Sequence, residues 1–151
     1  MTAPINPPFR AEHIGSLLRP APLLALRADH AVGKISDEEV RRAEDDAITQ
    51  AVALQLELGL SSITDGEYRR YAYSDSFTIV VFTGVKIGST EDRNWTYSDA
   101  QGQKTEGRVP IVVDRLEWSG PVNVDDFEFV KRIAGTGLPK VTLPGPCYIH
   151  F

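Results

Sequence analysis

The sequence predicts an α/β fold built from parallel βαβ units. Two observations lead there. Strand-like and helix-like patterns alternate along the 151 residues as strand, helix, strand, longer excursion, strand, helix, strand. That alternation is the pattern of a parallel sheet covered by helices. The second observation is the strand signal Ser62-Ile63-Thr64, which runs directly into Asp65-Gly66-Glu67-Tyr68-Arg69-Arg70. In α/β folds the loops at the carboxyl ends of strands are where ligands bind. A carboxylate pair and two guanidinium groups gathered there suit a small charged molecule. His13-Ile14-Gly15-Ser16 repeats this placement near the amino end.

The elements follow in order. Residues 1–8 are polar and proline-rich and read as a flexible tail. Phe9 to Ile14 reads as a short buried strand, diluted by Arg10, Glu12 and His13. Beyond Pro20 and Pro22, Leu23, Leu24, Leu26 and Ala28 suggest a short helix ended by Gly33. The next helix carries the clearest signal. Ser36 is a good N-cap, and Glu39 three residues later completes a capping box. Asp37, Glu38 and Glu39 fill the first turn, where the helix dipole favours negative charge. Val40, Ala43, Ala47, Ile48, Ala51, Leu54 and Leu58 recur at threes and fours as an apolar stripe, and Gly59 stops it. The strand Ser61 to Thr64 comes next.

Phe77 to Val85 is β-branched and aromatic, with Gly84 and Gly88 as breakers. Residues 86–107 read as an excursion or hairpin, with Trp95 and Tyr97 as its large apolar groups. Val109 to Val113 looks like a buried strand starting at Pro110. Asp125 and Asp126 open a helix whose apolar side is Phe127, Val130, Ile133 and Ala134, ended by Gly135 and Gly137. Lys140-Val141-Thr142-Leu143 is a further strand. The ending Cys147 to Phe151 is apolar and follows a strand with no helix after it. The reading is a single, incomplete domain over residues 1–151.

Composition sets the outer bounds. The chain is 42% hydrophobic and 25% charged, which is ordinary for a globular domain. A net charge of -5 argues against nucleic acid or an anionic membrane as partner. A single cysteine, Cys147, allows no internal disulfide. No secretory signal and no membrane-length apolar run is seen, so the expected place is the cytoplasm.

Phe9-Arg10-Ala11-Glu12-His13-Ile14-Gly15-Ser16-Leu17-Leu18-Arg19-Pro20 resembles the opening of proteins related to the catalytic domain of cobalamin-independent methionine synthase. The helix Ser36 to Leu58, then Gly59-Leu60, Asp65 to Arg70 and Lys140 to Pro146 continue the resemblance. What it implies is a partial (β/α)8 TIM barrel, about the first four βα units. It also implies an enzyme that passes a methyl group from a methylated folate to the thiol of homocysteine, made a thiolate by zinc. Ile14, Gly15 and Ser16 match the segment that holds the amino-acid substrate. Glu67 matches the glutamate that receives its ammonium group, and Arg70 matches a structural ion-pair partner. His13 reads as a structural histidine near the pocket, and Asp65 as support for Glu67 or a cap of the next turn. The family's zinc ligands match nothing in this chain, and Cys147 with His150 do not fall on them. The chain alone is therefore expected to be inactive, with no catalytic and no metal-binding residue of its own.

Without the resemblance, Glu67 is equally well a loop carboxylate paired with Arg69 or Arg70. Two other readings stay open. One is a non-catalytic half-barrel that binds or assembles, as a homodimer through an open barrel edge. The other is a related barrel enzyme acting on another thiol; uroporphyrinogen decarboxylases share that architecture.

Overall fold

The computed structural model describes residues 12–72, 82–89, 97–98, 102–105 and 108–145. The expected tail, Phe9 to Ala11, Tyr73, Phe77, Trp95, Cys147 and His150 lie outside the described residues. The chain divides into two compact units, Met1–Tyr71 with Asn123–Thr142, and Ala72–Val122 with Leu143–Phe151.

The first unit holds three helices and a pair of parallel strands. Helix α1, Ala21–Ala31, starts behind Pro20 and buries Leu23. Proline suits a helix start because its missing N–H would have no partner there anyway. Helix α2, Asp37–Glu57, opens on the predicted capping box. Glu39 N–H donates to Ser36 Oγ at 3.3 Å, and Ser36 N–H donates to Glu39 Oε2 at 2.8 Å. The exit is a Schellman motif, with Gly59 at φ 73°. There Gly59 N–H donates to Leu56 O and Leu60 N–H to Gln55 O, both at 3.0 Å.

Strand β1, Ser62–Thr64, leaves that turn. The second unit intervenes in sequence before helix α3, Val124–Ile133, which Gly135 (φ 55°) ends. Strand β6, Leu138–Lys140, follows and lies parallel to β1, with Ile63 opposite Pro139. Its position corrects the expectation of a strand over Lys140–Leu143. Pro139 has no N–H to give a ladder, which disguises the segment, yet Leu138 N–H still donates to Ser61 O at 2.8 Å. Residues 12–14 form no strand.

The core is where α2, β1 and α3 meet. Ile48 and Ile63 are fully buried, and Val52, Val130 and Ala134 nearly so. Each large side chain removed from water contributes about 1.5–3 kcal/mol. Gln55, also buried, ties α2 to β1. Its side chain accepts from Thr64 N–H at 3.0 Å and donates to Thr64 O at 2.8 Å. Both Thr64 backbone groups are satisfied by one side chain.

In the second unit, β2 (Phe82–Ser89) pairs with β5 (Arg108–Trp118) antiparallel. The sequence alternation counts the strand Val109–Val113 as a buried member of parallel units; the structure pairs it antiparallel and leaves Val112 and Val113 exposed. The register slips between Thr83 and Val85, where the extra residues lie on β5 opposite Gly84, so Gly84 sits inside the strand rather than breaking it. Its φ of 77° needs glycine, and a β-carbon would stand 2.9 Å from Asp114 O. Pro110 lies within β5 rather than at its start, opposite Ile87. Between these strands, β3 (Tyr97–Ser98) and β4 (Lys104–Thr105) form a short antiparallel pair. Among the described residues no helix is long and apolar enough to cross a membrane.

Candidate functional site

The site begins where β1 ends. Thr64, Asp65, Glu67 and Arg70 are all buried, at 5% exposure or less. Gly66 and Glu67 both take positive φ, 67° and 58°. Two such residues in succession make a tight turn, and Tyr68 N–H reaches back to Asp65 O at 3.5 Å. Glycine adopts this conformation freely. Glutamate does not, so Glu67 is held there at a cost that its surroundings must offset.

Those surroundings are specific. Glu67 N–H donates to Asp65 Oδ1 at 3.0 Å, and Gly66 N–H to Thr64 Oγ1 at 3.2 Å. Arg19 donates through Nη2 to Glu67 O at 2.7 Å and Arg70 O at 2.8 Å. Arg27 adds a bond to Arg70 O at 3.0 Å and pairs with Glu44 at 2.5 Å. Burial, and then the charge of Arg27, push the Arg19 guanidinium below its ordinary value, while Glu67, Tyr68 and Asp65 pull it back. Tyr68 donates its hydroxyl to Leu18 O at 3.0 Å, and burial pushes that phenol up.

The amino-terminal loop closes on the turn. Leu17 N–H donates to Gly66 O at 3.0 Å. Gly15 is buried against the Glu67 carboxylate and Thr142: a β-carbon there would overlap Glu67 Oε1 and lie 2.8 Å from Thr142 Cγ2. Glu67 Oε1 accepts from Thr142 Oγ1 at 2.6 Å and lies 3.5 Å from Arg70 Nη1. Arg70 donates to Thr142 Oγ1 at 3.2 Å and Thr142 O at 2.8 Å. Two segments far apart in sequence, those of Gly15 and Thr142, thus converge on one carboxylate.

The remaining residues named from sequence are placed as follows. Ser16 is exposed beside Gly15, and Ile14 is 94% exposed. The His13 carbonyl accepts from Lys140 Nζ, which also pairs with Glu12 at 2.9 Å. Arg69 does not pair with Glu67. It bridges Asp45 on α2 and Asp126 on α3, at 3.0 Å from the latter, and stacks 4.5 Å from the Phe129 ring centroid. Tyr71 is 70% exposed. Thr142, Arg19 and the Arg69 cluster were missed as site residues. Arg19 stands inside the opening motif and Thr142 inside Lys140 to Pro146, and both are usable signals. The partners of Arg69 carry none without the fold.

Asp65 Oδ2, Arg19 Nε and Arg69 Nε are buried without a hydrogen-bond partner. Such atoms are left for water or ligand. Among the described residues no group of His, Cys, Asp or Glu could hold a metal ion. The carboxylates around the turn face guanidinium groups instead, so these residues do not fit zinc.

An acidic turn at a strand's carboxyl end, backed by a glycine, defines an α/β protein with a strand-end site. No protein-family model matches the chain. It is 34% identical over 152 residues to the uncharacterized protein YxjH of Bacillus subtilis, covering 95% of this chain and 37% of that protein. It is 32% identical over 133 residues to the methionine synthase of Sulfurisphaera tokodaii, covering 88% and 37%. A solved chain from Listeria monocytogenes, assigned as a vitamin-B12-independent methionine synthase, superposes with TM-score 0.70 at 26% identity, over 95% of this chain and 38% of that one. The B12-independent methionine synthase of a Shewanella species, solved with selenomethionine, gives 0.59 at 27% identity, over 78% and 32%. The chain belongs to the cobalamin-independent methionine synthase-like family. It spans 37% of the length of the curated relatives it matches.

Proposed function

We propose that this chain is part of a partial (β/α)8 barrel of a methyltransferase in methionine biosynthesis, and that its contribution is to grip an amino-acid thiol such as homocysteine. The observation that carries this is the packing of Gly15 against the buried Glu67 carboxylate. A carboxylate is the partner an ammonium group needs in a partly dry pocket. A glycine there lets the loop that carries Ser16 close directly onto that carboxylate. Ser16, exposed next to Gly15, offers an N–H and a hydroxyl to the ligand's carboxylate. Ile14 presents an apolar surface beside them. Asp65 and Arg70 support Glu67 from behind, and Lys140 anchors the loop through the His13 carbonyl.

The ligand seen with the Shewanella relative is itself an amino acid, which supports this reading. Zinc and a methylated folate belong to the reaction that the family resemblance implies. The described residues offer no zinc site, and their share of the work is binding and orientation. Calorimetric titration of the protein with L-methionine tests the reading. Saturable binding at one site, competed by L-homocysteine, is expected; no heat at millimolar ligand contradicts it.

A further inference from the structure

Thr142 stands two residues beyond β6, with its carbonyl held by Arg70 Nη2 at 2.8 Å. Its hydroxyl lies between two charged groups, 3.2 Å from Arg70 Nη1 and 2.6 Å from Glu67 Oε1. A guanidinium can only donate, so the hydroxyl accepts from Arg70, and its single proton is left for the carboxylate. The donor assignment is therefore fixed by chemistry. Arg70 Nη1 also lies 3.5 Å from the same oxygen. Oε1 thus takes both protein partners, while among the described residues no hydrogen bond reaches Oε2. The other branch of the same side chain is close by: Thr142 Cγ2 would sit 2.8 Å from a β-carbon on residue 15.

We propose that Thr142 is a positioning residue for Glu67: its hydroxyl holds Oε1 and its methyl packs on Gly15, so that Oε2 is presented to the cation of the ligand. This rests on the amino-acid site proposed above. A carboxylate on a flexible side chain has broad freedom about its last torsion. Fixing one oxygen with a charge-assisted bond removes that freedom before the ligand arrives.

The test compares L-methionine with 4-(methylthio)butanoate, which lacks the amino group, in calorimetric titrations of wild type, Thr142→Val and Thr142→Ser. Valine keeps the volume and removes the hydroxyl; serine keeps the hydroxyl. Thr142→Val is expected to weaken L-methionine about tenfold, the worth of one hydrogen bond to a charged group. The deamino analogue should change less than about twofold, and Thr142→Ser should return L-methionine binding to within about threefold of wild type. A purely structural role would weaken both ligands alike, and that result would overturn the proposal. So would a Thr142→Val protein with wild-type affinity, or a serine variant as weak as valine. A wild type that does not prefer L-methionine over the analogue overturns the Glu67 site itself, and this role with it. A wild type that does, beside an unchanged Thr142→Val, overturns Thr142 alone.

Discussion

Gly15 packs against the carboxylate of Glu67 so closely that residue 15 has no room for a β-carbon. The opposing wall is Thr142, whose methyl would stand 2.8 Å from that atom. The loop and the acidic turn are therefore fitted to each other, and the Leu17 to Gly66 backbone bond at 3.0 Å registers them.

Gly15→Ala should destabilise the protein by about 1–3 kcal/mol, the usual cost of forcing a group into filled space. Urea denaturation measures it. The same variant should lose amino-acid binding, because the added carbon displaces the Glu67 carboxylate. Wild-type stability together with wild-type affinity would mean that the two segments do not meet.

Gln55→Leu should cost about 2 kcal/mol or more. The substitution keeps the size of the side chain but removes its bonds to Thr64 N–H and Thr64 O. Hydrogen exchange should also quicken at Thr64 N–H. Equal stability of the two proteins would remove Gln55 as the tie between α2 and β1.

Two carboxylates should give opposite pH dependences. Burial raises the Asp126 carboxyl above 3.8, with Arg69 partly opposing. The folded state then binds more protons than the unfolded state just above that pH, so this group lowers stability as pH rises through the window. Glu39 is the reverse: bonds from the Ser36 backbone and side chain hold it below 4.5. Its contribution is present above 4.5 and is lost as pH falls through the lowered folded value. Denaturation midpoints across acid pH check both. Relative to wild type, Glu39→Gln should lose less stability on acidification, and Asp126→Asn should lose less as pH rises from 3.8. The opposite ordering for either variant would contradict its assigned environment.

Much of the scaffold was legible because its signals are local. The Ser36–Glu39 box, the Ala47, Ile48 and Ala51 part of the α2 stripe and the Gly59 exit depend on neighbours within a few residues, whereas Leu54 and Leu58 of that stripe are exposed. The turn at Gly66 and Glu67 was legible as a loop, although only the structure shows a glutamate at positive φ. What was not legible depends on partners far away in sequence. Val109 to Val113 reads as a buried strand from its apolar run, yet Val112 and Val113 are exposed, and nothing local says that β2 lies antiparallel to β5. Pro139 hid β6 by lacking a donor. The pairing of Arg69 with Asp45 and Asp126, rather than with Glu67 two residues earlier, required α2 and α3 to be placed. Thr142 meets Glu67 across 75 residues, and a lone threonine near a strand end carries no mark of that.

The most direct measurement is a pair of calorimetric titrations with L-methionine, on wild type and on Glu67→Gln, each repeated with the deamino analogue. Glutamine keeps the size and removes the charge. L-methionine should weaken about tenfold or more while the analogue does not, since a charge-assisted bond to the ammonium is what is lost. Equal affinity of the two proteins for L-methionine would contradict it and take Glu67 out of the site.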